Sequence, residues 1–245
     1  MKITNCLLLI LLSSASPSLA QDNRVTEEFV HRPRLVVGEC RALATHSPAV
    51  RVIASAPRKS EPKGSAPAVA AVPYGKGRVM VISGTRFATA SNDRFIADAL
   101  LWVNGGKPVF CKKGLAVVGT DVAPFFDAAD EWADATDMGT LRQYLRWRGN
   151  RTQQMPQFAH TFAPDLLYLS ANDLHKQGAG FTDEVIPLLR KFVEDGGGLI
   201  VTGVLPDAYG SDKFAGNLLL EPMGIRFTAE ELETQNGDII LSQKQ

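Results

Sequence analysis

Cys40 is the residue of this sequence that has the chemistry of a nucleophile. It follows the apolar stretch Leu35–Val37, and a cysteine on a turn between a strand and a helix can attack a carbonyl carbon. Such a cysteine needs a histidine, oriented by a carboxylate, to remove its proton. None of the four histidines stands in a His-x-Glu sequence after a late strand, and Pro48 interrupts the helix that should follow Cys40. We favour a structural, buried cysteine, with a cysteine hydrolase as the alternative.

Polar side chains stand at the predicted carboxyl ends of several strands. In α/β sheets with parallel strands, ligands bind at that edge. These side chains suit a site for a small molecule or a glycan, but Asn, Asp, Ser and Thr also cap helices and build turns at such places. The candidate binding residues are Thr85, Arg86, Asp121, Asn172, Asp173, Thr202 and Asp207.

The sequence contains no motif for a metal or a cofactor, and we expect neither. It has no His-Glu-x-x-His, no Cys-x-x-Cys and no pair of histidines at helical spacing. The glycines Gly196–Gly198 precede a predicted strand, whereas a phosphate-binding loop follows a strand and opens a helix. Three tryptophans fall on helical stretches, where core positions are favoured over a platform for a sugar: Trp102, Trp132 and Trp147.

Residues 1–20 have the pattern of a secretory signal peptide. Lys2 precedes the apolar run Cys6–Leu12, and Ser18-Leu-Ala20 forms a small-x-small cleavage site before Gln21. No other stretch approaches the ~18 apolar residues of a membrane-spanning helix. We therefore expect a secreted or periplasmic protein without a transmembrane segment in the mature chain.

Charge and cysteine content narrow the classes of partner. Acidic and basic residues number 26 each, so electrostatics gives no support to a nucleic-acid partner. Cleavage would leave Cys40 and Cys111. In an oxidising compartment these two could form a disulfide, and two buried thiols are the other interpretation.

The positioning elements follow from periodicity and turn signals. A hairpin is predicted from Ala68–Val72, a glycine-containing turn, and Arg78–Ser83. A helix with Phe95, Ile96 and Leu100 on one face follows, and Gly105-Gly106 ends it. Further on, short apolar strands alternate with helices: Leu115–Val118, Ala123–Ala133, Gly139–Arg148, Leu166–Leu169, then a short helix and two weaker strands after Phe214.

The clearest step joins a helix to a buried strand. Thr182 is predicted to cap the helix, Val185, Leu189 and Val193 share its apolar face, and Gly196–Gly198 end it before a strand through Gly203. Strands separated by helices predict an α/β fold with a mainly parallel sheet flanked by helices, plus the antiparallel hairpin. The expected organisation is a signal peptide (1–20), a lead-in and loop (21–67), and the α/β domain (68–245).

Three segments together carry a family resemblance: the hairpin from Val69 with the helix ending at Gly106, the run Phe192–Gly203, and Phe214–Ile225. In this order and spacing they resemble the N-terminal half of the TRP-channel-associated factors and the enhancin-like, mucin-degrading peptidases. The resemblance implies a class I glutamine-amidotransferase-like (flavodoxin-like) domain, which in that family precedes a zinc peptidase domain. The peptidase's His-Glu-x-x-His helix has no counterpart here, and the amidotransferase nucleophile has no convincing match.

The resemblance and the missing motifs together favour a non-catalytic binding or accessory module, with a glycan, a glycoprotein or another protein as partner. Two alternatives stay open. One is the front part of a truncated secreted zinc metallopeptidase, and the other is a hydrolase that uses Cys40.

Overall fold

The computed structural model describes residues 34–61, 64–85, 87, 90–107, 114–119, 133–150, 164–208 and 210–240. Predictions for residues 1–20, Arg86, Cys111, Asp121, Trp132 and the helix from Ala123 concern positions outside these ranges. Within them, no helix has the length and apolar character needed to cross a membrane.

Eleven strands and five helices make up the described part of the chain. The strands are β1 (Arg34–Val36), β2 (Arg41–Thr45), β3 (Arg51–Pro57), β4 (Ser65–Tyr74), β5 (Gly77–Ser83), β6 (Leu115–Val118), β7 (Ala133–Thr136), β8 (Leu166–Ser170), β9 (Gly198–Gly203), β10 (Ile225–Glu231) and β11 (Asp238–Ile240). The helices are α1 (Asp93–Val103), α2 (Met138–Gly149), α3 (Ala171–Lys176), α4 (Ala179–Glu194) and α5 (Ala215–Leu220), with short 3-10 turns at Ala90–Asn92, Ser211–Lys213 and Glu221–Met223.

Seven strands form a mixed sheet in the order β3-β4-β5-β9-β8-β6-β7. The four pairings from β5 to β7 are parallel, and the two pairings of β3, β4 and β5 are antiparallel. The α/β class and the β4–β5 hairpin are thus confirmed. Two antiparallel pairs, β1 with β11 and β2 with β10, lie outside this sheet.

Both faces of the sheet are covered, which explains why its strands are apolar throughout. Met80 and Ile82 of β5 belong to the core beneath α1. Their neighbours Val79 and Val81 belong to the opposite core, together with the apolar face of α4. Alternate side chains of one strand enter the two cores because successive residues of a strand point to opposite faces.

The α4–β9 step has the predicted form but a different start. The helix begins at Ala179, with Gly178 as its N-cap residue, so the predicted cap at Thr182 is wrong. The Thr182 hydroxyl instead donates to the backbone carbonyls of Gly178 and Ala179, a bond that a threonine inside the first turn can make.

Residues 34–61 contribute three strands, and two of these, β1 and β3, overlap the stretches Leu35–Val37 and Val50–Ala54, whose composition favours strands. β3 is the edge strand of the seven-stranded sheet and pairs with β4. β2 pairs with β10, and β1 pairs with β11, so this segment is tied to the other end of the described chain. Its turn between β1 and β2 lies against the carboxyl end of β5, which brings it to the candidate site.

Candidate functional site

The parallel strands β5, β9, β8 and β6 end at one edge of the sheet. Parallel pairing places Ser83 beside Gly203, Thr202 beside Ser170, and Leu169 beside Val118. The loops after these strands hold most of the candidate binding residues.

Asn172 binds the loop that follows β9. Its side-chain Nδ2 donates to the carbonyl oxygen of Val204 at 2.9 Å, and its Oδ1 accepts from the Val204 N–H at 3.0 Å. A side-chain amide has one donor group and one acceptor suited to this two-way pairing with a peptide unit. Asn172 therefore joins the start of α3 to the segment after β9.

Asp173 is buried at the start of α3, and its contacts lie at the same edge of the sheet. Its backbone N–H donates to the Ser170 Oγ at 3.2 Å, which makes Ser170 the N-cap of the helix. Its Oδ1 accepts from Lys176 Nζ at 2.7 Å. A Cβ atom at Gly119 would lie 2.8 Å from Asp173 Oδ2, so the glycine allows the end of β6 to approach this carboxylate.

Thr202 lies inside the sheet, with only 4% of its surface exposed. Its hydroxyl is beside the phenol of Tyr168, which is fully buried. Burial raises the pKa of Tyr168, and the hydrogen bond with Thr202 acts in the opposite direction. Thr202 therefore contacts the protein interior.

Thr85 and Asp207 reach solvent at this edge, as does the half-buried Asn172. The Thr85 N–H donates to the carbonyl oxygens of Val37 and Glu39, and the residue is half-buried. The side chain of Asp207 is 83% exposed, and its Oδ1 lies 2.6 Å from Nη2 of Arg41.

Arg41 is a functional candidate that the sequence analysis did not identify. Its side chain is 3% exposed, Nη1 donates to the Leu205 carbonyl oxygen at 2.6 Å, and Nη2 faces Asp207. Its backbone N–H donates to Ser83 Oγ at 3.2 Å. An arginine at the first position of a strand gives no sign of burial, because its partners come from a loop far along the chain.

Cys40 is buried and tied to the end of β5. Its thiol is free, is 5% exposed, and donates to the Ser83 carbonyl oxygen at 2.9 Å. Burial raises the pKa of Cys40 to about 12, and a smaller contribution from the side chain of Ser83 acts against that rise. The turn that carries it joins β1 to β2, so it is not a strand-to-helix elbow. The thiol lacks the thiolate character that nucleophilic attack requires.

Two glycines allow the loops at this edge of the sheet to pack closely against each other. A Cβ atom at Gly84 would lie 2.8 Å from the Val37 carbonyl oxygen. Gly203 has a φ of +150°, and a Cβ there would lie 2.6 Å from Asn172 Oδ1. The β1–β2 turn and the loop after β9 consequently close over the ends of β5 and β9, and the exposed part of the edge is their outer surface.

Metal ligation and aromatic stacking find little support here. Among the described residues, no group of three or more His, Cys, Asp or Glu side chains is placed to hold a metal ion. Trp102 is 6% exposed and lies under the Arg78 guanidinium, 5.4 Å from the ring centre. Trp147 is partly buried against the core. These two rings serve packing.

Comparison with known proteins gives a likeness of fold. No protein-family model and no curated protein matches the sequence. Three solved structures match: IMPa from Pseudomonas aeruginosa in complex with an O-glycopeptide (TM-score 0.51, 11% identity), the IMPa metallopeptidase from the same organism (0.52, 13%), and IMPa in complex with T-antigen (0.52, 13%). The matches cover 90–92% of this chain and 24% of the IMPa chain, so the chain resembles about a quarter of that metallopeptidase in fold.

Proposed function

We propose that this protein is an exported binding or accessory domain without catalysis of its own, and that its ligands are glycans or glycoproteins. The observation that carries the proposal is the match of 90–92% of the chain to part of IMPa, a metallopeptidase solved with an O-glycopeptide and with T-antigen. In a metallopeptidase that binds an O-glycopeptide, such a domain is suited to holding the ligand while another domain cuts it.

The strand order supports a class I glutamine-amidotransferase-like, flavodoxin-like domain as the finer description. Taken from the edge, β7-β6-β8-β9 has the order 2-1-3-4 of a flavodoxin-like sheet. The fifth position, beside β9, is filled by β5, which comes earlier in the chain. In this class of sheet the ligand lies at the carboxyl edge, where the order reverses between β6 and β8.

The state of Cys40 supports a non-catalytic role. A nucleophilic cysteine needs a lowered pKa and an open approach, and Cys40 has a raised pKa and 5% exposure. This geometry disfavours the alternative of a cysteine hydrolase.

The proposed contact surface is the outer side of the carboxyl edge. Thr85, Lys176 and Asp207 offer polar groups to solvent there, since the Lys176 side chain is 64% exposed and that of Asp207 is 83% exposed. Asn172 and Asp173 hold the loops that display them. Arg86 and Asp121, which follow β5 and β6 in sequence, belong to the same proposal.

A matched pair of lysines tests the location. Lys176 pairs with Asp173 at the carboxyl edge, and Lys191 pairs with Asp195 at the end of α4, next to the opposite edge where β9 begins. We expect saturable binding to an array of mucin-type O-glycans, a loss of signal for Lys176→Gln, and no change for Lys191→Gln. Equal signals for both variants would place the contact elsewhere, and a blank array would make a protein the better partner.

Two further points of the proposal have direct tests. Export with cleavage after Ala20 predicts that the mature protein starts at Gln21, which N-terminal sequencing of secreted or periplasmic material would detect. The alternative, the front part of a zinc metallopeptidase, predicts an in-frame His-Glu-x-x-His downstream of Gln245 in the genomic sequence.

A further inference from the structure

The Arg41 guanidinium is a buried charge whose counter-charges come from exposed side chains. Its own side chain is 3% exposed, whereas the carboxylates of Asp207 and Glu39, 2.6 Å and 3.5 Å from Nη2, are 83% and 59% exposed. A buried charge without a partner is strongly destabilising, so one carboxylate must occupy this position at all times. Nothing in the pairing requires that the carboxylate belong to this chain.

One edge of the guanidinium is only half used. Nε and Nη2 share the edge that receives both oxygens of a carboxylate in a bidentate pair. Asp207 and Glu39 both approach Nη2, and Nε, which is also buried, has no hydrogen-bond partner among the described residues. A carboxylate that meets this edge with two oxygens would satisfy a donor that Asp207 leaves unsatisfied.

The loop after β9 is built so that Asp207 can leave without disturbing the rest. Val204 is held by Asn172 through two hydrogen bonds, and the Leu205 carbonyl oxygen accepts from Arg41 Nη1. Asp207 lies beyond both anchors and meets the protein through its ion pair with Arg41. Rotation of this side chain into solvent leaves the anchored backbone in place.

The acidic side chains around Arg41 mean that a ligand carboxylate can bind there only if it replaces the carboxylate of Asp207. Glu231 is paired with Lys59, which lowers the pKa of this carboxylate most, and smaller effects of Arg41 (lowering) and Asp207 (raising) show that Glu231 is also near the Arg41–Asp207 pair. An additional anion would meet repulsion from these carboxylates. An anion that replaces Asp207 leaves the local charge unchanged.

We propose that the Nε–Nη2 edge of Arg41 is a carboxylate-binding subsite, occupied by Asp207 in the ligand-free protein and by an acidic group of the ligand in the complex. This inference rests on the proposed function, since it assigns the chemistry of one contact at the same edge: the ligand is an acidic glycan or glycopeptide.

The probe is sodium N-acetylneuraminate, an acidic sugar, titrated into protein labelled with nitrogen-15 while the Arg41 Nε–H signal is followed. Wild-type protein should show a downfield shift of that signal on saturation. Asp207→Asn keeps the shape of the side chain and removes the competing charge, so the dissociation constant should fall at least tenfold. Asp212→Asn, which removes a carboxylate paired with Arg226, is the matched control and should leave it unchanged.

The methyl ester of the same sugar, which has no carboxylate, should produce no shift. An unmoved Arg41 Nε–H signal in Asp207→Asn, or an equal response to acid and ester, would overturn the subsite. Arg41→Lys retains the charge without the two-pronged edge and should lose binding; if it does not fold, the Asp207→Asn titration decides alone. A response to the acid alongside a blank glycan array would refute the proposed function and leave the subsite standing, and the reverse pair of results would refute only the subsite.

Discussion

The amide of Asn172 pairs with the backbone of Val204 in both directions, at 2.9 Å and 3.0 Å, and so joins the helix after β8 to the loop after β9. The two strands are neighbours in the sheet, and this pairing continues their contact beyond the last ladder hydrogen bond. Asn172, whose position in the sequence suggests ligand binding, thus has a structural role.

Asn172→Ala should destabilise the fold. The substitution leaves the N–H and the carbonyl of Val204 without their partner in a buried position, and each such loss costs about 1–3 kcal/mol. Urea denaturation followed by circular dichroism would measure the free energy of unfolding. As a control, Gln177→Ala changes an exposed amide just after α3 and should cost about 0.5 kcal/mol or less. Equal stabilities of the two variants would show that the Val204 pairing contributes nothing.

Cys40 should resist alkylation in the native protein. With a pKa of about 12 and 5% exposure, its thiol is neither ionised nor accessible at pH 8. Iodoacetamide labelling with peptide mass spectrometry, in the presence and absence of 6 M guanidinium chloride, would follow the Cys40 peptide separately from that of Cys111. Rapid labelling of the Cys40 peptide under native conditions would contradict the buried site.

The raised pKa of Cys40 also predicts a loss of stability at alkaline pH. The unfolded thiol ionises near pH 9.0, while the folded thiol keeps its proton to about pH 12, so the folded state binds more protons between these values. The free energy of unfolding should therefore fall by about 1.4 kcal/mol per pH unit from this group over that window, and the contribution is fully present below pH 9. Other groups titrate there too, so the slope is read as the difference between wild type and Cys40→Ala. Parallel slopes for the two proteins would contradict the burial of the thiol.

Two alanine substitutions separate close packing from helix propensity. A Cβ at Gly198 would lie 2.6 Å from the Val103 carbonyl oxygen and 2.4 Å from a Leu166 methyl group, so Gly198→Ala should cost about 1–3 kcal/mol. A Cβ at Gly180, inside α4, meets nothing within 4 Å, so Gly180→Ala should be neutral or stabilising by up to about 1 kcal/mol. Thermal melts of both variants would test the pair, and a stable Gly198→Ala would show that β9 can move away from α1.

Local patterns predict much of this fold because their causes lie within a few residues. The hairpin follows from a glycine turn between two apolar runs, and α4 with β9 follows from helical spacing ended by three glycines. The sequence places the start of α4 at Thr182 because a threonine hydroxyl is typical of an N-cap, whereas Gly178, the N-cap residue in the structure, has no side chain that would indicate this role.

Elements that depend on pairing between distant parts of the chain could not be predicted from the sequence. The stretch Arg41–Thr45 is short and rich in alanine, and it becomes a strand because β10 pairs with it from the far end of the chain. The candidate site at Arg41 escapes prediction for the same reason. Arg41 is buried by Leu205 and Asp207, which are far from it in sequence and which no local pattern connects to it.

The placement of β5 has a consequence for how the chain acquires its structure. β5 comes first among the parallel strands, yet Arg78 pairs with Gly198 of β9, the last of them. A nascent chain can close the β4–β5 hairpin early, but the apolar edge of that hairpin waits until β9 has left the ribosome. Such sequence-distant parallel pairing slows folding and leaves strand edges open to aggregation meanwhile. Fragments that stop before Gly198 should therefore collect as insoluble material, and the full-length chain should fold in a late, cooperative step.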